Sequence, residues 1–287
     1  MLPSFFVSDL HGQTQRYLTL FRLIGEEVPR GVFFGGDLLP HGMDFSWQTS
    51  PSQVDFLLDF VFPELRNLKT GLGPEYPQMY MILGNDDPRF HEDSLLEAQE
   101  EGLLHYAHGR KTGYGPFAVY GYSCIPPSPF QLKDWERYDV SKFVDPGCLS
   151  PEEGRRTAGP TGRAIRFTTI AEELMELTGR DDLTRALCLF HCPPHGCRLD
   201  RAALDGQKID HVPLDVHIGS IAIQRFIAER QPLLTLHGHV HESRRLTGNW
   251  RDQFGRTVSV SAATEGTELA LVRFDPHDLA SASLELV

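Results

Sequence analysis

The chain has 287 residues, 40% of them hydrophobic and 23% charged, an ordinary globular composition that excludes a disordered or collagen-like majority. Its formal net charge of -12 argues against a protein that grips nucleic acid through a Lys/Arg surplus, while a small anionic substrate stays open if bound cations supply local positive charge. No apolar run approaches the eighteen or so residues of a membrane helix, and the longest, such as Phe56–Phe62, carries Asp59.

The opening MLPSFFVSDLHG moves straight into a predicted strand at Ser4–Val7, with no basic stretch and apolar core ahead of it, so a cytoplasmic location is expected. Apolar residues at three- and four-residue steps predict a helix over Gln13–Glu26. A strand follows at Gly31–Phe34, a helix at Gln53–Asn67, a strand at Met79–Leu83, a helix at Ser94–Glu101 and a strand at Ala118–Tyr122. From Ile125 to about Arg163 the pattern breaks into PPSP, KDWERYDV, DPGCLSPEEG and AGPTG. Loops of this length in a compact domain are often functional, so this stretch is expected to form a rim or cap over a site, anchored by Trp135 and Tyr138. Beyond it come a helix at Ile165–Thr178, a strand at Ala186–Phe190, a helix at Ile221–Arg230 with Ser220 as its cap, and a strand at Leu233–Leu236. The last two strands, Thr257–Ser261 and Leu269–Phe274, read as a hairpin. Strands alternating with helices imply one α/β domain over residues 1–287, built on a mixed sheet or a two-sheet sandwich, with the Pro/Gly-rich stretch at about 125–163 inserted.

The five cysteines, Cys124, Cys148, Cys188, Cys192 and Cys197, are odd in number in a chain long enough not to need staples, and reduced thiols are expected. Cys192 and Cys197 flank His195 in HCPPHGC, but no CxxC pair exists to make a structural zinc site.

Side chains that bind metals recur just after the predicted strands. Asp9 and His11 follow the first in SDLHG, Asp37 follows the second in GGD, and Asn85 with Asp86 follows the third in GNDD. His191 follows the strand Ala186–Phe190, and His239 and His241 follow Leu233–Leu236 in HGHVH. In an open α/β sheet the carboxyl ends of parallel strands share one edge, so these loops converge. Oxygen and imidazole donors together suit zinc, manganese, iron(II) or cobalt, whereas calcium would want oxygens alone. Seven donors are too many for one tetrahedral ion with an open position, but a shared carboxylate gives four to each of two ions.

The order D-x-H, GGD, GN-(x)-(D/E), a lone His and G-H-x-H resembles the signature of calcineurin-like metallophosphoesterases from roughly Ser4 to His241. The resemblance implies a four-layer α/β/β/α sandwich of two mixed sheets. It also implies one ion held by Asp9, His11, Asp37 and His241 and a second by Asp37, Asn85, His191 and His239, with Asp37 bridging them. The implied activity is hydrolysis of a small phosphate ester, a monoester or diester with nucleotides included, using two divalent metal ions (manganese, zinc or iron) and a hydroxide between them as nucleophile.

Many members of that family have a histidine after the motif's Asn, thought to help the leaving group, and this chain has Asp86 there. Beside two cations Asp86 is expected to stay ionised and to be a poor general acid, which leaves His195 as the replacement candidate. Asp87 is expected to fix its loop, and His237 to be packed rather than to bind metal. A scaffold use of the fold, also met without the motif histidine, is the alternative; the complete ligand set speaks for an enzyme. A nuclease fits poorly with the acidic balance, and a zinc protease would need HExxH.

Overall fold

Every residue of β1 (Ser4–Val7) is buried, so the strand needs an apolar layer on each face. Phe6 joins Phe33, Tyr80 and Ile82 in one core, while Phe5 and Val7 join Val32, Phe34, Met79 and Met81 in another, the period-two alternation of a strand covered on both sides. The computed structural model describes residues 3–40, 55–160 and 162–287. In its first sheet β1 lies between β2 (Gly31–Gly35) and β13 (Ala270–Asp275), and the order is β14 (Asp278–Leu286), β13, β1, β2, β3 (Gln78–Ile82), β4 (His105–Tyr106). Pairing is parallel from β1 to β4 and antiparallel at β13 and β14.

The second sheet runs β11 (Arg251–Phe254), β12 (Thr257–Ser261), β10 (Leu234–His237), β7 (Ala186–Phe190), β6 (Phe117–Tyr122), β5 (Lys111–Tyr114). Its four central strands are parallel and its two edges antiparallel. Leu187, Leu189, Leu234 and Leu236 meet Phe6, Phe33 and Tyr80 in the core between the sheets, and Ser4 and Tyr114 hydrogen-bond across it at 2.6 Å. Outside the first sheet lie α1 (Thr14–Glu27), α2 (Phe62–Leu72) and α3 (Glu92–Glu100); outside the second lie α5 (Ile170–Thr178) and α6 (Ile221–Arg230). The result is a four-layer α/β/β/α sandwich of two mixed sheets. The short elements α4 (Gly162–Arg166), α7 (Ser243–Thr247) and the two-residue strands β8 (Lys208–Ile209) and β9 (Val212–Pro213) complete it. No helix among the described residues is long and apolar enough to cross a membrane.

Three sequence expectations need correction. The strands at 257–261 and near 269–274 are not a hairpin: β12 pairs with β10 and β11, whereas β13 pairs with β1 and β14 in the other sheet. Their true partners, RDQF and DLASASLEL, carry mostly polar or small side chains at the sheet edges and give little apolar signal. The helix expected over Ile165–Thr178 is two helices, because Thr169 leaves helical geometry to cap α5, accepting from Glu172 N at 3.2 Å while the Glu172 carboxylate accepts from Thr169 N at 2.9 Å. The helix expected from Gln53 begins outside the described residues; a π-helical turn at Leu57–Val61 leads into α2, which continues to Leu72.

Between Ile125 and Pro160 there is no named strand or helix, yet the stretch is packed against the body. Trp135, Lys133 and Glu136 are fully buried, and Tyr138 nearly so. Trp135 Nε1 donates to the Asp87 carbonyl at 2.8 Å, and the Asp134 carboxylate accepts from the Arg89 and Thr157 amides, both at 2.8 Å. The insertion is thus fastened to the GNDD loop.

Candidate metal centre

The loops after β1, β2, β3, β7 and β10 meet at one edge of the two sheets. There Asp9, His11, Asp37 and His241 form one group of donors, and Asp37, His191 and His239 form another, with the donor atoms of each group within 4.8 Å of one another. Asp37 belongs to both. Asn85 Oδ1 lies 3.0 Å from His191 Nε2, so all seven residues singled out in the sequence stand together.

The backbone is bent hard to reach this arrangement. Asp9, His11, Asp37 and His239 sit at φ of 56°, 46°, 53° and 73°, a left-handed region that side-chain-bearing residues enter at a cost and that clusters at functional sites. Hydrogen bonds hold them there: Asp9 N to Gly36 O and His11 N to Asp37 O, both 2.9 Å, and His239 N to Asp9 Oδ1, 2.9 Å. A Cβ on Gly84 would stand 2.3 Å from Asp37 Oδ1, so the approach of these two loops requires glycine. Asp87 clamps them from behind, accepting from the Leu38, Leu39 and Gly84 amides at 2.8 to 3.0 Å. This is the loop-fixing place foreseen for it. His237 is fully buried with both ring nitrogens engaged, Nδ1 with Cys192 O at 2.9 Å and Nε2 with Thr235 Oγ1 at 2.7 Å, and so points no nitrogen at the donors.

The donor set fits a cation. His191 Nδ1 lies 2.7 Å from the Gly35 carbonyl, which can only accept, so Nδ1–H is the donor. Nε2 then faces Asp37 Oδ2 at 3.3 Å and Asn85 Oδ1 at 3.0 Å. Without a positive centre between them, a proton or a metal ion, three lone pairs would face one another. On the other side His11 Nε2 and His241 Nε2 are 3.0 Å apart, and His241 Nε2 is 3.1 Å from Asp9 Oδ1. Burial alone would strip His191 of its proton, but the carboxylates of Asp37 and Asp9 outweigh it and raise its pKa to about 10. Burial likewise opposes charge on His241, and Asp9 and Asp37 raise it to about 9. Burial acts upward on the two carboxylates, yet the histidines hold Asp9 down at about 2 and Asp37 well below its ordinary range. A metal ion would take the place of these protons.

The expectation that Asp86 stays ionised rests on two cations beside it; in the protein without metal, burial and the carboxylates of Asp37 and Asp87 raise its pKa to about 8. It lies 3.8 Å from His11 Nδ1 and accepts from Asn85 Nδ2 at 2.9 Å. His195 stands apart from both donor groups, its Nε2 3.1 Å from Asp215. The five cysteines carry free thiols, as expected.

Arg16 escaped the sequence reading. It sits on the buried face of α1 beside Tyr17 and Leu20, 3% exposed, and its guanidinium donates to the Asp9 carbonyl at 2.6 Å and to the Gly266 carbonyl. It pins the backbone of a donor rather than offering one. Its only sequence signal is an arginine at a position whose helix face is otherwise apolar.

No curated protein sequence matches the chain significantly. Among solved structures, that of TT1561 from Thermus thermophilus is similar with a TM-score of 0.53 at 15% identity, covering 100% of this chain and 98% of that one. A dimetal phosphatase from Danio rerio is similar with a TM-score of 0.50 at 12% identity, covering 95% and 92%. At such identities the likeness speaks to the fold. A family model described as calcineurin-like phosphoesterase matches residues 2–243. Matched over most of its length, the chain belongs to the calcineurin-like phosphoesterase family.

Proposed function

We propose that this protein hydrolyses small phosphate esters with two divalent metal ions, manganese, zinc or iron, in the cytoplasm. The observation that carries the reading is a pair of donor groups sharing one carboxylate, Asp37. Asp9, His11, Asp37 and His241 would hold one ion, and Asp37, Asn85, His191 and His239 the other. Such a pair supplies charge neutralisation on phosphoryl oxygens and a more acidic water. The chain's own residues then do three things. The left-handed loops fix the donors before any ligand arrives, and Arg16 and Asp87 keep those loops in register. Asp86, beside Asn85, and His195, on the loop that begins at His191 but outside both donor groups, are the sequence's candidates for the leaving-group side. The insertion at 125–163 of this single domain borders the site through its hold on the GNDD loop.

The test is metal content and turnover together. Protein loaded with manganese or zinc should hold about two equivalents and hydrolyse phosphomonoesters, phosphodiesters or nucleotides. Asp37→Ala should lose most of the metal and the activity. A single equivalent that never rises would sink the dinuclear reading. The absence of the family's usual histidine at Asp86 favours one rival, a binding or scaffold protein; full metal occupancy with no turnover on any ester would select it.

A further inference from the structure

Outside the two donor groups, the loop from His191 to Ser220 builds a second histidine cluster at the same edge. The loop is clasped at its base: Ser220 N donates to Pro193 O at 2.9 Å and His195 N to Ser220 O at 3.0 Å. A Cβ on Gly219 would lie 2.7 Å from the carbonyl oxygens of Pro193 and Pro194. The clasp therefore brings His217 back to the chain just beyond the donor His191. His217 Nδ1 lies 2.8 Å from Asp200 Oδ1, and a carboxylate accepts, so Nδ1–H donates. Asp200 is itself fully buried and takes the Gly196, Cys197 and Gly219 amides at 2.8, 2.9 and 3.3 Å. It cannot turn away. The ring of His217 is thereby fixed with Nδ1 inward and Nε2 outward, its side chain 32% exposed. A buried carboxylate orienting an imidazole whose far nitrogen is left accessible is the arrangement that proton transfer uses. His195 lies edge-on at 5.9 Å between ring centroids, but its own partner, Asp215, is 54% exposed and orients it far less firmly.

We propose that His217, held by Asp200, is the proton donor to the leaving group of the ester; this rests on the hydrolase reading above. A hydroxide oxygen bonds to phosphorus, the bond from phosphorus to the leaving oxygen breaks, and that oxygen's electron pair takes the proton from Nε2 of the His217 imidazolium. The neutral imidazole regains a proton from water, which restores hydroxide. An alkoxide gains much from this help and a nitrophenolate little, since general-acid catalysis is worth about a hundred- to ten-thousand-fold for a poor leaving group.

The experiment compares manganese-loaded wild type, His217→Gln, Asp200→Asn and His195→Gln on matched alkyl and nitrophenyl phosphate esters. His217→Gln should retain its metal and lower the ratio of alkyl to nitrophenyl rates by about a hundred-fold or more. Asp200→Asn should lower the same ratio, and long-range ¹⁵N–¹H spectra should show His217 leaving the Nδ1–H form. Should Asp200→Asn fail to fold, the part-exposed His217→Gln decides alone. An unchanged ratio in His217→Gln, an equal loss on both ester classes, or a fall confined to His195→Gln overturns the assignment. If metal-loaded wild type hydrolyses neither class, the hydrolase reading has failed, and the proton donor falls with it.

Discussion

Four donors hold backbone conformations that cost an ordinary residue roughly 1–2 kcal/mol each, and the surrounding hydrogen bonds offset that cost. The strain separates two roles of Asp37, as donor and as bearer of a φ of 53°. Asp37→Ala and Asp37→Gly should both lose metal, but glycine adopts this φ freely and alanine does not. In metal-free protein unfolded by urea, Asp37→Gly should be the more stable of the two by about 1 kcal/mol; equal stabilities would show the bend to be unstrained. A second residue-scale effect comes from His108, buried beneath the insertion with its ring 4.8 Å from Trp135. Burial first, then the charges of Arg89, Arg137 and Arg110, press its pKa well below 6.5, and Ser123 N donates to its Nδ1 at 3.0 Å, a bond that protonation would remove. The unfolded chain takes up this proton below about pH 6.5 and the folded protein does not, so the stability is present above that pH and lost as pH falls through it. The slope is about 1.4 kcal/mol per pH unit for one proton. His237 acts with the same sign, so the measurement is a difference: between about pH 6.5 and 5, His108→Gln should lose stability less steeply than wild type by about one proton, and parallel slopes would refute it. The seven residues that meet at this edge were legible in the sequence because metal-type side chains restrict the residue type and strand ends restrict the place. Arg16 and Asp200 were not, since a buried arginine or aspartate is recognisable only by what folds around it.

At the level of elements, legibility followed burial. Strands β1, β2, β3, β6, β7 and β10 are covered on both faces and wrote themselves as largely apolar runs, and β12 as β-branched residues alternating with serine, whereas β5, β11 and β14 lie at or near edges, are partly exposed, and left no such mark. Pairing could not be read at all: β12 and β13 are neighbours in sequence, and only the division of the core into two sheets sends them apart. The insertion was read as a loop, yet it contains a wholly buried ion pair, Lys133 Nζ to Glu136 Oε2 at 2.6 Å, closed by Ser128. Removing one partner of such a pair strands the other charge in the interior. Lys133→Met should therefore cost about 3–5 kcal/mol, and adding Glu136→Leu should recover much of it. Denaturant unfolding of the three proteins decides this, and a double variant no better than Lys133→Met would show that the pair's charges are not what makes its loss expensive.

For the whole molecule, the net charge of -12 and the cluster of carboxylates at one sheet edge make bound metal a stability term as well as a chemical one. Without an ion the site must recruit protons, as the raised pKa values of His191 and His241 show, and the left-handed loops remain strained around them. An ion that binds the folded protein and not the unfolded chain adds about 2.7 kcal/mol per site at a hundred times its dissociation constant. The choice of probe matters, because five free thiols let the unfolded chain bind zinc and reduce the apparent gain. Manganese prefers oxygen and imidazole to thiolate and is the cleaner reporter. The thermal midpoint should rise on adding manganese and fall back in excess chelator. Asp37→Ala, lacking the donor common to both groups, should show neither change. If wild type melts at one temperature in manganese and in chelator alike while Asp37→Ala does the same, the edge where these loops converge holds no ion that matters to the fold, and the strain in its four left-handed residues is borne by hydrogen bonds alone.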